Sequence, residues 1–236
     1  GTTVSDNNLT TIGGGGDYGI YLESGSDVDV SNNALNDIDG SGIYMGSSPG
    51  STVTSNTLES ISGNGIYISS NADNGVVSNN TLSSITSSSY GIFVGSGSDS
   101  LSVNDNVLEN IAGNGINIVS GASVEITGNS ITDASSEGIY FQSGNNTNIS
   151  DNDIISSGST AIYYNGSSSS GIVSNNLIEG GGGNGIYLNS SVTYANILGN
   201  EITGKNSEAI YLHQSCSYAV IDSNLVSGNS YGINLY

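Results

Sequence analysis

Gly19-Ile20-Tyr21-Leu22 is the first of ten related strings, and its recurrence decides the fold. The others start at Gly42, Gly65, Gly91, Gly115, Gly138, Ala161, Gly185, Ala209 and Gly232, at intervals of 23 to 26 residues. The second position is isoleucine in every copy, from Ile20 to Ile233, and the fourth is always apolar, from Leu22 and Met45 through Phe141 and Tyr164 to Leu235. Apolar residues two apart lie on one face of a strand, so positions two and four face a core and position three faces away from it.

Between these strands a second pattern recurs, apolar-x-x-Asn-x-apolar-x-x-apolar. Val4, Asn7, Leu9 and Ile12 give the first copy, and Val30, Asn33, Leu35 and Ile38 the second. Its asparagines form an unbroken series: Asn7, Asn33, Asn56, Asn80, Asn106, Asn129, Asn152, Asn176, Asn200 and Asn224. The separation from Val4 to Leu9 is odd, so strand alternation alone cannot turn both inward. A corner intervenes, and it is expected at the asparagine, which tolerates the left-handed backbone conformation. Each repeat then holds three short strands and three turns.

A unit of this size has too few apolar groups for a core of its own and must stack on its neighbours. Stacking at the spacing of adjacent strands gives about ten coils and a rod on the order of 50 Å long. Aliphatic columns run inside it, and at one corner the ten asparagine amides form an internal ladder, each bonding the next. The predicted fold is all-β: a single-stranded parallel β-helix, or solenoid, with residues 1–236 as one domain. One column departs from the pattern. It runs Ile12, Ile38, Ile61, Ile85, Ile111, then Ala134, Ser157, Gly181, Lys205 and Asn229, so that corner is expected to open outward or shift register in the later coils.

The Gly-Ile-Tyr-Leu strands and Asn-x-Leu-x-x-Ile corners resemble the right-handed parallel β-helix repeats of the pectate-lyase-like superfamily, from Val4 to Leu235. The resemblance implies a right-handed coil. It is specific for fold and says little of function, because that fold carries lyases, hydrolases, epimerases, tailspikes and adhesins. Its enzymes act on acidic polysaccharides in a groove walled by long turn insertions. Here the longest insertions, Gly13 to Tyr18 and Thr86 to Tyr90, exceed the norm by only two or three residues, so no walled cleft is expected. The lyases use Arg or Lys as a base, the epimerases a cluster of Asp, His and Tyr, and the hydrolases grouped Asp residues with a His-bearing turn.

This chain has a single Lys or Arg against 21 carboxylates, for a net charge of −20. The one cation is Lys205, with Glu201 and Glu208 nearby, and a solvated ion pair is expected there. Without clustered cations, nucleic acid is not an expected partner, nor is an anionic membrane surface. No segment approaches the roughly 18 to 20 apolar residues of a membrane span, so no membrane insertion is expected. The sole cysteine, Cys216, follows the sole histidine, His213, by three residues; a metal or nucleophile pair there lacks a third ligand, and a surface turn is the simpler reading. Paired carboxylates at Asp27 with Asp29, Asp37 with Asp39, and Asp151 with Asp153 could do acid–base work or offer oxygens to Ca2+, but a solvated acidic turn is the simpler reading of each pair. No other cofactor is expected, and no catalytic residue is assigned.

Position three of the repeated strand is the candidate binding surface. It reads Tyr21, Tyr44, Tyr67, Phe93, Asn117, Tyr140, Tyr163, Tyr187, Tyr211 and Asn234. Eight of the ten are aromatic and face outward in one row, which fits stacking against a linear glycan, packing against another protomer, or simple cross-strand packing. The strand pattern runs to both termini without polar caps, which predicts either an excised piece of a longer helix or head-to-tail self-assembly. Asn-x-Ser/Thr sequons stand at Asn8, Asn79, Asn145, Asn148, Asn165 and Asn189. These features lead to a non-catalytic extracellular or cell-surface protein, such as a spacer, adhesin or filament subunit. The alternative is a carbohydrate-active module working along the tyrosine face.

Overall fold

In a computed structural model, which describes residues 1–14 and 16–236, the chain winds through three parallel ten-stranded sheets. Gly15, within the Gly13–Tyr18 run, lies outside the described residues. Each coil adds one strand to each sheet. The first coil contributes Thr3–Ser5, Asn8–Ile12 and Ile20–Ser24 to the three sheets in turn. Register is held by identical positions: Val4 pairs with Val30, Leu9 with Leu35, and Ile20 with Ile43.

The interior is one continuous set of columns, with Ile43, Ile66, Ile92 and Ile116 among the residues that are wholly buried. The glycine that opens seven of the repeated strands has a packing cause. A Cβ on Gly65 would lie 2.4 Å from Leu82 Cδ2 and 2.7 Å from the Gly91 carbonyl oxygen, inside any tolerable contact. The next coil's inward leucine occupies that space.

The amide ladder forms at every step. Asn Nδ2 donates to the Oδ1 of the next coil's asparagine at 2.9 Å from Asn7 to Asn33, 2.9 Å from Asn106 to Asn129 and 2.8 Å from Asn200 to Asn224. The backbone N–H of each rung donates to the same oxygen, at 3.0 Å in the case of Asn106. Nδ2 also reaches a carbonyl of the preceding coil, Val77 for Asn106 at 2.9 Å. Each interior amide is thereby satisfied, which is what burial requires.

The corner lies one residue earlier than expected. No ladder asparagine has a positive φ; the residue before it does, in all ten coils. These are Asp6, Asn32, Ser55, Asn79, Asp105, Gly128, Asp151, Asn175, Gly199 and Ser223. The asparagine itself keeps an ordinary backbone and spends its side chain on the column. A second corner behaves alike: Thr11, Asp37, Ser60, Ser84, Asn110, Asp133, Ser156, Gly180, Gly204 and Gly228 have positive φ and immediately precede the variable column. That column therefore neither opens nor slips. Ala134, Ser157 and Lys205 stand inside it, each about 1% exposed.

Lys205 is thus a correction. It forms no solvated pair with Glu201 and Glu208. Its Nζ passes the position of Gly181, which has no side chain, and donates to Ser157 Oγ two coils away at 3.1 Å. The Ser159 carbonyl lies at 3.5 Å. Burial lowers the ammonium from its usual 10.5 to about 8.

Candidate functional site

The third sheet carries the aromatic row on its outer face, as position three requires. Strand burial alternates as buried, half-buried, buried along Ile66-Tyr67-Ile68 and Ile162-Tyr163-Tyr164. Tyr21 is half exposed at 50%, while Tyr44, Tyr67, Phe93, Tyr140, Tyr163, Tyr187 and Tyr211 are partly covered by one another. Ring centroids lie 4.9 Å apart for Tyr21 and Tyr44, 5.0 Å for Tyr67 and Phe93, and 4.8 Å for Tyr163 and Tyr187. That is the strand spacing carried out to the side chains. Two rings outside the strands extend the surface: Tyr18 packs on Tyr21 at 5.0 Å and Tyr90 stacks on Phe93 at 5.5 Å.

Two turn asparagines hold part of the row. Asn165 Nδ2 donates to the Tyr140 hydroxyl at 3.1 Å, and Asn189 Nδ2 donates to the Tyr163 hydroxyl at 2.8 Å. Asn189 also donates to Asn165 Oδ1 at 3.2 Å, making a second, short amide step on the outside of the coil. Desolvation by burial raises the phenols of Tyr163 and Tyr187 above the usual value of 10.0, so both rings are neutral hydroxyl bearers at physiological pH.

The row breaks at Asn117. There the surface dips into an open cleft of about 670 Å³. Tyr90 and Phe93 stand on one side and Tyr140 and Gln142 on the other, with Glu137 at the rim. The dip is open to solvent and is not a walled, water-excluding cleft; the short insertion Thr86–Tyr90 lends it Ser88 and Tyr90 on one side. Two turn residues of that insertion, Ser87 and Ser88, both adopt positive φ. The signal in the sequence was an asparagine inside the series with aromatic residues on both sides.

The other candidates are held in place by structure. His213 lies edge-on to Tyr187 and Tyr211 and stacks on Tyr236 at 5.8 Å. Cys216 Sγ donates to the Leu188 carbonyl at 3.4 Å, and burial pushes its thiol up, away from the thiolate that nucleophilic work needs. Asp29 accepts Ser31 Oγ at 3.1 Å and Thr52 Oγ1 at 3.0 Å, so hydroxyls already engage both its oxygens. Asp27, Asp37 and Asp151 occupy left-handed turn positions, which explains an Asp there without a metal. Among the described residues no group of three or more His, Cys, Asp or Glu could hold a metal ion, and no helix is long and apolar enough to cross a membrane.

A coil of three parallel sheets around stacked aliphatic columns, with an asparagine at one corner of each turn, defines a right-handed β-helix. The chain belongs to that family: the model described as "Right handed beta helix region" matches residues 1–131 and again 90–236. No curated protein matches the sequence. Solved structures share the fold at low identity. The Dettilon tailspike protein aligns with a TM-score of 0.62 and 14% identity over 94% of this chain and 46% of its own. The A-module of a mannuronan C-5 epimerase from Azotobacter vinelandii aligns at 0.61 and 14%, over 97% and 77%. The surface protein and adhesin PfbA of Streptococcus pneumoniae aligns at 0.56 and 10%, over 96% and 81%. The chain thus spans about half of the tailspike and about four-fifths of the other two.

Proposed function

We propose that this chain is a rigid, non-catalytic extracellular surface module that binds a linear glycan along the aromatic face of its third sheet. The observation that carries the reading is the row itself: rings in register at strand spacing, partly exposed, with a hydroxyl at the tip of every one but Phe93. Such a surface offers flat apolar area for the C–H faces of successive sugar rings and polar handles for their hydroxyls. Proteins of the same fold include a tailspike, an adhesin and an epimerase named for mannuronan, which supports a role at surfaces or on polysaccharide.

The residues that could have carried catalysis support a binding role. Lys205 is sealed in the core, Cys216 is held as a thiol, and the His213 ring packs among tyrosines. Packing of the same face against a second copy, giving a filament or lateral assembly, is the competing reading. A net charge of −20 opposes it, since two such copies repel unless salt screens them.

The test is retention on a panel of immobilised polysaccharides, with the Tyr67→Ala/Tyr140→Ala double variant alongside. Two lost ring contacts at roughly 1 kcal/mol each predict a drop of about tenfold or more in affinity. Retention of no glycan by the native chain overturns the reading. Release of reducing ends or unsaturated uronates would replace it with the enzymatic one, and rods that lengthen with protein concentration under the electron microscope would replace it with assembly.

A further inference from the structure

The gap in the aromatic row is itself a candidate site, distinct in chemistry from the rings on either side. Asn117 takes an outward position in its strand yet is only 6% exposed, because Phe93 below and Tyr140 above overhang it. Its Oδ1 is fully covered and has no donor within reach. A buried acceptor left unpaired is uncommon and asks for a donor. The χ2 torsion of asparagine is soft and roughly two-fold, so a half-turn presents that oxygen to the cleft. The two flanking rings stand two coils apart, roughly 9.6 Å at strand spacing.

The rim is built to accept as well. Glu137 Oε2 accepts Ser136 Oγ at 2.7 Å and Oε1 accepts Ser159 Oγ at 3.1 Å, while its backbone N–H donates to Asn114 Oδ1 at 3.3 Å. The carboxylate is therefore held in one orientation, with lone pairs left over. No Lys, Arg or His lines the cleft. The one lysine of the chain is buried elsewhere, and the molecule as a whole carries −20.

We propose that the Asn117 cleft is the subsite that sets glycan specificity, holding one pyranose ring of an uncharged glycan and turning away uronates. The sugar's C–H faces meet Phe93 and Tyr140. One hydroxyl donates to Asn117 Oδ1, and a second donates to the Glu137 carboxylate. A uronate would set its own carboxylate against Glu137 with no cation to receive it, in a strongly negative field. This inference rests on the glycan reading of the row and adds to it which sugars are taken and where the chain is read.

The experiment is calorimetric titration of the intact chain with uncharged linear hexasaccharides (glucan, mannan and galactan series) and with polyuronate hexamers at equal ionic strength. The native chain is expected to bind an uncharged series and to bind uronates at least tenfold more weakly. Asn117→Tyr fills the gap and completes the row, so it should abolish binding while melting like the native chain, since tyrosine already stands at seven equivalent positions. Asn117→Ala, which keeps the space and removes the acceptor, should weaken binding about tenfold. Glu137→Gln, whose amide oxygen still accepts a hydroxyl but carries no charge, should weaken uncharged glycans by about two- to threefold and narrow the margin against uronates. Unchanged or tighter binding by Asn117→Tyr would overturn the subsite and leave the row standing, as would uronates bound as well as uncharged chains. Absence of binding to every glycan would sink the row and the subsite together.

Discussion

Lys205 has the aliphatic stem of a core residue and the head of a surface one, and the coil accommodates it by leaving glycine at position 181 and serine at 157. Its amine titrates at about 8 in the folded chain instead of 10.5. Between those values the unfolded chain holds a proton that the folded one has given up, so stability rises as pH rises from 8. Below pH 8 the full penalty is present, about 3 kcal/mol by linkage. Lys205→Met should therefore stabilise the protein by roughly 1 to 3 kcal/mol at pH 7 and flatten its stability between pH 8 and 10, read by denaturant titration. The raised phenols of Tyr163 and Tyr187 work the other way above pH 10 and bound the window. The ladder gives the opposite kind of residue, legible from the start. Its ten asparagines announced themselves by spacing, whereas a lysine in an apolar column reads as an exception until the empty space beneath it is seen. Asn106→Ala should cost about 3 kcal/mol, because the backbone N–H and the side-chain amide of Asn80 both lose their acceptor and the Val77 carbonyl loses its donor. Unchanged thermal melting would deny the ladder its energetic role.

At the scale of strands and corners, period two located the inward columns of the repeated strand, and the odd step from Val4 to Leu9 required a turn; the buried turn residues Val28, Leu101, Val124 and Val192 carry no such period and escaped it. Arithmetic of that kind shows that a chain bends without showing which residue bends. The left-handed position proved to be the one before each ladder asparagine, filled by Asp, Asn, Ser or Gly in all ten coils. These residue types share a low cost in that region, and the one β-branched residue found there, Thr11, stands at the other corner of the first coil. Asp105→Val should accordingly cost about 1 to 2 kcal/mol, while Asp105→Gly, the residue that Gly128 supplies one coil later, should change the melting midpoint little. Equal loss from both would mean that the aspartate acts through its carboxylate. The cleft escaped the sequence reading for a related reason. Its sides come from Ser88 and Tyr90 in one coil and Tyr140 two coils on, and the dip between them depends on a side chain that is small at position 117.

Across the whole molecule, attraction is local and repulsion is shared. Each coil pairs in its sheets only with its neighbours, and Lys205 reaches no farther than two coils, whereas 21 carboxylates act on one another along the full length against a single buried cation. Added salt should therefore raise the melting temperature, most steeply as the screening length falls from about 30 Å at 0.01 M to about 8 Å at 0.15 M. A melting temperature insensitive to sodium chloride over that range would show that the charges are too well solvated to matter. The same like-charge repulsion works against packing of the aromatic face on a second copy.

The registered stacking of coils has a metrical consequence. Equivalent marks on the outer surface stand a whole number of strand spacings apart, so the aromatic face is a graduated scale with one interior division missing. Excising a complete repeat would move the gap by one graduation without blurring it, and duplicating one would do the same in reverse. Selection acting on such a molecule could adjust the length of what it measures in unit steps, leaving the chemistry of every division intact.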